Sequence, residues 1–345
     1  MAIIDFNRDD SSLVLHKAPP KEMLSIRKES GRVIVRINSS SLSIIQECLR
    51  KAKYYLLDGW KSENESPATL FGSAIHKALE VYYSGAPEER ILPRLEDLEP
   101  IAFGHAPKTD GLIERSIAAF VEKAQALKDL PDTDKRSLIN GTWILHEYFK
   151  AFINDPYITH VDDDGPFVER TFDHVIHEDQ DCTIILFGTI DFAWRHIQTG
   201  EVVCGDHKTA SFLNFGGASY FDRDKPNHQY TGYVMGAKKV FGIPSDNFIV
   251  NVLEVKAKPK TKGAKGVSFP RQPTKRTEED FAELKEVLLD SVQRYMMAET
   301  KNSWPMGPVD ACNKYGGCPY KQVCASPNSL RETILRNKFI KEGQS

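Results

Sequence analysis

Asp191, Asp206 and Lys208 are of the types that metal-assisted hydrolysis needs. Asp191 ends the run Phe187-Gly188-Thr189-Ile190-Asp191, and the other two lie in Val202-Val203-Cys204-Gly205-Asp206-His207-Lys208-Thr209. Side chains alternate along a strand, so Asp206 and Lys208 share one face. A two-residue turn on Gln198-Thr199 sets Asp191 opposite Asp206. Two facing carboxylates repel, more strongly beside apolar Ile190, Phe192, Val202 and Val203, unless a cation lies between them. A hard divalent ion, Mg2+ or Mn2+, is the simplest remedy. Taken alone, a D-x-K pattern is more often an exposed strand edge, so its surroundings decide.

Those surroundings form an ordered series. Gly72-Ser73-Ala74-Ile75-His76-Lys77-Ala78-Leu79-Glu80 precedes Glu169, then Gly188-Thr189-Ile190-Asp191, Asp206-His207-Lys208-Thr209 and Gln229-Tyr230-Thr231-Gly232-Tyr233. The set resembles the RecB-like branch of the PD-(D/E)XK nuclease superfamily over roughly residues 40 to 325. Ile190 stands where the superfamily's name has proline, as is common in that branch. The resemblance implies a catalytic metal on His76, Asp191 and Asp206, with Lys208 acting on the attacking water and Gln229 and Tyr233 on a following helix. The backbone carbonyl of His207 is a further candidate oxygen ligand. Glu169 is either another metal ligand or an alternating polar strand residue. By itself His76 reads as a hydrogen-bonded helix histidine; the series makes it a ligand candidate.

The residue types suit the chemistry independently. Phosphodiester hydrolysis needs a nucleophile from water, charge stabilisation on the phosphoryl oxygens and help for the leaving oxygen. A lysine beside two carboxylates stays protonated, which favours an electrostatic role over that of a base. Gln229 and Tyr233 are one helical turn apart and can face the same site, although each alone reads as a buried helix residue. The expected function is a metal-dependent DNA exonuclease, acting on DNA that is single-stranded or has a free end, in repair, recombination or phage DNA processing. The alternatives are a non-catalytic DNA-end-binding scaffold, disfavoured because Asp191, Asp206 and Lys208 are all present, and the nuclease subunit of a helicase-nuclease complex. The sequence holds no G-x-x-x-x-G-K-[ST] loop, so a helicase or recombination partner would be a separate chain.

Six cysteines in so long a chain do not make a disulfide framework. Cys48 stands alone, whereas Cys312, Cys318 and Cys324 cluster. The iron-sulfur members of the same branch, related to the AddB nuclease and the CRISPR-associated RecB-like exonuclease, join one early and three late cysteines around a 4Fe-4S cluster. Cys318-Pro319-Tyr320-Lys321-Gln322-Val323-Cys324 resembles their C-P-x4-C ending, which implies a cluster on Cys48, Cys312, Cys318 and Cys324. The longer step from Cys312 to Cys318 departs from their pattern. Four thiolates also suit tetrahedral zinc, and unligated thiols are a third alternative. A second cluster of one kind is basic: Lys256, Lys258, Lys260, Lys262, Lys265, Arg271, Lys275 and Arg276 follow one another with no acidic residue between them. Glycines and prolines make this stretch a loop or loose hairpin, read as tracking the DNA backbone or as a solvated flexible loop.

Positioning these residues requires strands at 167–176, 182–194 and 201–209, read as consecutive and antiparallel, and a strand at 248–256. Helices are expected from a Ser43/Gln46 capping box through Cys48, at 72–83 with a stop at Gly85, twice within 112–154, at 228–241 and at 278–298. The fold class is α/β, a restriction-endonuclease-like core with a central mixed sheet flanked by helices, its terminal segments tied together by a metal cluster. The division is an N-terminal strand segment at 1–40, a nuclease core at 41–300 with a helical insertion at about 86–160, and a cysteine-bearing tail at 301–345. With 41% hydrophobic and 27% charged residues, disorder and fibrous repeats are excluded, and a net charge of −3 leaves DNA to be held by local basic patches. Apolar runs fall far short of the ~20 residues that span a bilayer. Asp5, Asp9 and Asp10 open the chain with no long apolar core after them, so no membrane and a cytoplasmic location are expected.

Overall fold

The computed structural model describes residues 23–29, 32–63, 65–216, 218–261, 263, 265–313 and 317–341. Asp5, Asp9, Asp10 and Lys262 lie outside the described residues. Among the described residues the strands are β1 (Leu24–Glu29), β2 (Arg32–Asn38), β3 (Trp60–Ser62), β4 (Tyr157–Thr159), β5 (Val161–Asp162), β6 (Gly165–Pro166), β7 (Val168–Glu178), β8 (Cys182–His196), β9 (Val202–Ala210), β10 (Asn214–Phe215), β11 (Ala218–Ser219), β12 (Asn247–Glu254), β13 (Arg271–Lys275) and β14 (Phe339–Lys341). The α-helices are α1 (Ser39–Glu47), α2 (Leu49–Ala52), α3 (Pro67–Ser84), α4 (Leu95–Ala102), α5 (Leu112–Lys123), α6 (Leu138–Phe152), α7 (His228–Lys239), α8 (Glu278–Thr300), α9 (Lys321–Ala325) and α10 (Asn328–Lys338). The chain divides into two units, one of Met1–Glu65, Phe172–Gly188 and Glu278–Ser345, the other of Ser66–Thr171 and Thr189–Thr277.

In the first unit β2 pairs antiparallel with β1 and parallel with the start of β8, from Val33↔Cys182 to Asn38↔Phe187. Arg36 is held there by Asp173 at 2.8 Å and lies 3.5 Å over the Phe187 ring. The Asn38 side chain caps α1 by accepting the Ser41 N–H. This corrects the expected Ser43/Gln46 cap: a run of serines offers several hydroxyls, but the preceding asparagine takes the free amide at the β2 end first. Cys48 does not ride on that helix. Its extended backbone (φ −167°, ψ 114°) separates α1 from α2. Tyr54, Trp60, Tyr320, Val323 and Leu335 form a small apolar core.

In the second unit Ser66 caps α3 with Pro67 in its first turn, where a missing N–H costs nothing. Phe71, Ala74, Ile75, Ala78, Leu79, Tyr82 and Tyr83 of α3 are buried in one core with residues of α5, α6, β9 and β12. Burying each of its large side chains contributes about 1.5–3 kcal/mol. The far half of β8 pairs antiparallel with β9, from Phe192↔Gly205 to Arg195↔Val202, in the register expected for a turn on Gln198-Thr199. The strands stop short of that turn, and Gly200 takes the left-handed conformation (φ 73°) that closes it. β12 lies parallel to β9 and antiparallel to β13, with α7 as the crossover between β9 and β12. Each unit thus carries mixed sheet with helices against it, the α/β class expected. The basic stretch is not all loop, since its end forms β13.

Candidate active site

Every side chain of the ordered series belongs to the second unit. α3 supplies His76, β7 Glu169, β8 Asp191, β9 Asp206 and Lys208, and α7 Gln229 and Tyr233. Asp191 and Asp206 follow next in the β8–β9 register, 6% and 2% exposed. Their carboxyl groups lie within hydrogen-bond reach of one another. Asp191 Oδ2 accepts the His207 backbone N–H at 2.7 Å and lies 3.3 Å from His76 Nδ1. Asp206 forms an ion pair with Lys208. Lys208 Nζ donates to Gln229 Oε1 at 3.4 Å, and Gln229 Nε2 donates to Tyr233 Oη at 2.9 Å. Gly205 is required: a Cβ there would stand 2.2 Å from the Phe192 ring and 2.3 Å from the Ile249 carbonyl.

His76, Glu169 and Asp191 each present one donor atom, all within 4.8 Å of one another. Glu169 has a positive φ of 51°, an uncommon conformation for a residue with a Cβ and one that concentrates at functional sites. Burial, then Glu80 and Asp206, push the Glu169 carboxyl up to about 7. Burial, then Asp206 and Glu169, push Asp191 well above the carboxylate range. Burial would lower the Lys208 ammonium, but Asp206 and Asp191 outweigh it and hold the pKa above that of a free lysine. Burial lowers His76, leaving a neutral imidazole able to ligate. Crowded carboxylates beside a neutral histidine are a donor set short of cationic charge, and hard oxygen and imidazole ligands fit a divalent ion.

The structure brings His76, Glu169, Asp191, Asp206, Lys208, Gln229 and Tyr233 together, with one shift of emphasis. The tight donor set is His76, Glu169 and Asp191, while Asp206 is engaged by Lys208. The His207 ring is a participant that sequence reasoning missed. It is buried against Tyr83 and Phe192, and its Nδ1 accepts from Asn251 at 2.7 Å. Burial holds it well below the usual histidine range, so it is a neutral brace for the β9 backbone. The signal was Asn251, a polar residue inside the apolar run of β12.

The basic stretch breaks up. Arg271 is corrected: it is no loop cation but a core residue, bonded to Asp155 at 2.5 Å and Asn251 at 3.1 Å, 3.6 Å over the Phe152 ring. Lys256 pairs with Glu254 at 2.8 Å and Lys258 with Glu99 at 2.7 Å. Lys260 and Lys265 are exposed.

In the first unit, Cys48, Cys312, Cys318 and Cys324 are free and half-buried. Cys48 Sγ accepts N–H bonds from Lys51 at 3.4 Å and Gly307 at 3.1 Å. Gly307 leaves no room for a side chain, since its Cβ would stand 2.2 Å from the Glu47 carbonyl. Burial raises the Cys318 and Cys324 thiols, with Cys312 and Cys324 acting on Cys318 and Cys48 on Cys324. Arg50 lies beside Cys324 and lowers it, against the larger effect of burial. Cys182 and Cys204 are fully buried core residues.

A family model of the PD-(D/E)XK nuclease superfamily matches residues 36–325. The chain belongs to this superfamily. Membership implies a nuclease, a hydrolase that binds DNA and usually depends on a divalent metal, and the α/β architecture agrees with the restriction-endonuclease-like fold. A comparison with curated proteins returned no match. Among the described residues no helix is long and apolar enough to cross a membrane.

Proposed function

We propose that the protein is a DNA exonuclease of the RecB-like branch, with the catalytic metal on His76, Asp191 and Glu169, aided by Asp206 and the His207 carbonyl. The observation that carries the reading is the His76–Glu169–Asp191 donor set beside a lysine held by Asp206 and Gln229. When bound, Mg2+ or Mn2+ supplies Lewis acidity toward the phosphoryl oxygens and the attacking water. Lys208, kept cationic by Asp206 and Asp191, neutralises charge developing on the phosphate. Gln229 fixes the lysine, and Tyr233 fixes Gln229. The first unit is read as closing a 4Fe-4S cluster on Cys48, Cys312, Cys318 and Cys324, structural in role, which ties residue 48 to the tail. The nuclease-core boundaries at 41–300, a setting in repair, recombination or phage DNA processing, and a helicase partner belong to the same reading. End-labelled linear and covalently closed circular DNA, incubated with Mn2+ or with a chelator, test it. Metal-dependent loss of the linear species alone is expected, and cleavage of the circle would replace exonuclease with endonuclease.

A further inference from the structure

In the second unit a cavity of about 700 Å³ opens just past the end of β9, with Phe212, Lys135, Arg136 and Lys265 in its wall. Phe212 is 62% exposed, and Lys135 Nζ lies 5.2 Å over its ring. Arg136 donates to Ser211 Oγ at 3.1 Å. The cavity's acidic residues are otherwise engaged: Asp134 Oδ1 accepts the Arg136 backbone N–H, and Glu254 pairs with Lys256. Lys135, Arg136 and Lys265 have no carboxylate within 4.0 Å among the described residues, unlike Lys256 and Lys258.

The cavity is near the acidic cluster in the same unit. A smaller one of about 250 Å³ shares Arg136, Ser211 and Val255 with it and adds Thr209 of β9. Thr209 Oγ1 lies 3.3 Å from where a Cβ on Gly72 would stand, so β9 and α3 are closely packed at that point. Gly72 in turn lines a cavity of about 430 Å³ together with His76 and Glu169. An exposed ring and three cations with no carboxylate partner among the described residues thus line a cavity that adjoins the elements carrying the donor set.

We propose that this cavity is a nucleotide subsite for single-stranded DNA. Phe212 stacks on an unpaired base, and Lys135, Arg136 and Lys265 take phosphates of the same strand. A duplex keeps its base faces stacked on one another, so an exposed ring gains contact only from an unpaired strand, and every base offers it the same π-face. The subsite deepens the nuclease reading and rests on it for DNA as the strand that is bound.

Binding of labelled oligo(dT) and of a blunt duplex of equal length, measured by anisotropy in chelator, tests the proposal on the full chain. Phe212→Ala should weaken oligo(dT) about tenfold, the effect of losing one base–aromatic stack, and the duplex by less than about twofold. Phe212→Trp should keep wild-type affinity, with emission quenched by oligo(dT) beyond the change shown by the four native tryptophans. The Lys135→Gln/Arg136→Gln pair should reduce the slope of log K against log salt by about 1.4 for the single strand. Unchanged oligo(dT) affinity in Phe212→Ala, or an equal loss for the duplex, overturns the subsite. Adding Mn2+ to the wild type separates the two readings. Strand binding with the Phe212 effect but no cleavage keeps the subsite and ends the nuclease reading; cleavage with no Phe212 effect does the reverse.

Discussion

The acidic cluster of the second unit and the thiol cluster of the first are both sets of ligand-type side chains, built in opposite ways. Asp191 and Asp206 are almost fully buried on paired strands, with Gly205 and the His207 ring locking the backbone between them. The thiols are half-buried and stand at a helix break (Cys48), on a short 3-10 turn (Cys312), in a loop (Cys318) and on a five-residue helix (Cys324). Strand register sets Asp191 close to Asp206 whether or not a cation is present, and burial, then the neighbouring carboxylates, raise Asp191. The thiols are held by a few N–H bonds and a small core, so a cluster bound there, as proposed, would add to their order. The acidic site is arranged by the fold alone, whereas the thiol site, if it binds the proposed cluster, would help to make the fold around it.

Breaking the acidic site should cost activity and not stability. Asp191→Asn should lower the rate of DNA cleavage at least ~1,000-fold, since a ligand charge is lost, while the amide oxygen can still accept the His207 N–H. Its melting temperature in chelator should equal or exceed that of the wild type, because a buried repulsion is relieved. Breaking the thiol site should do the reverse. Cys48→Ser should remove absorbance near ~400 nm and lower the yield of folded protein, whereas wild type purified without oxygen should be brown. Colourless wild type with one equivalent of zinc would turn the cluster into a zinc clasp.

Two smaller effects sharpen the contrast. Gly205→Ala, whose Cβ would meet a ring and a carbonyl that cannot both move, should destabilise the protein by about 1–3 kcal/mol in chemical denaturation. The second effect is a pH dependence. Glu169 titrates at about 7 when folded and near 4.5 when unfolded, so between those values the folded protein binds more protons. In chelator, stability should therefore fall as pH rises from 4.5 to 7 and level off above. Mn2+ competes with those protons, so the metal-induced rise in melting temperature should grow over the same window. A rise independent of pH would remove Glu169 from the site. The smallest effect concerns the basic stretch: Lys260→Gln should reduce the salt slope of DNA binding by up to ~0.9, and Lys258→Gln by less, because Glu99 already neutralises Lys258.

Much of this arrangement was legible in the sequence because β periodicity is simple. Once a turn falls on Gln198-Thr199, the partner of every residue on β8 and β9 follows, and Asp191 and Asp206 come together. Glu169 was ambiguous because alternation assumes ordinary strand backbone, and its positive φ re-aims the side chain in a way no pattern records. Arg271 misled because its neighbours are lysines and prolines; that it begins a strand beside buried Asp155 depends on a partner more than 100 residues earlier. Asn38 was hidden as a cap by the serines after it. Long-range pairs and left-handed backbone were the unreadable parts, and local alternation and ordered spacing the readable ones.

The central claim is that the buried carboxylates are a divalent-cation site that serves cleavage. Calorimetric titration of Mn2+ into wild type and Asp191→Asn, at a pH below and a pH above about 7, tests it most directly. Saturable binding to the wild type is expected, with proton release that is larger at the lower pH, and weak or absent binding to Asp191→Asn. Equal Mn2+ binding by the two proteins would contradict it.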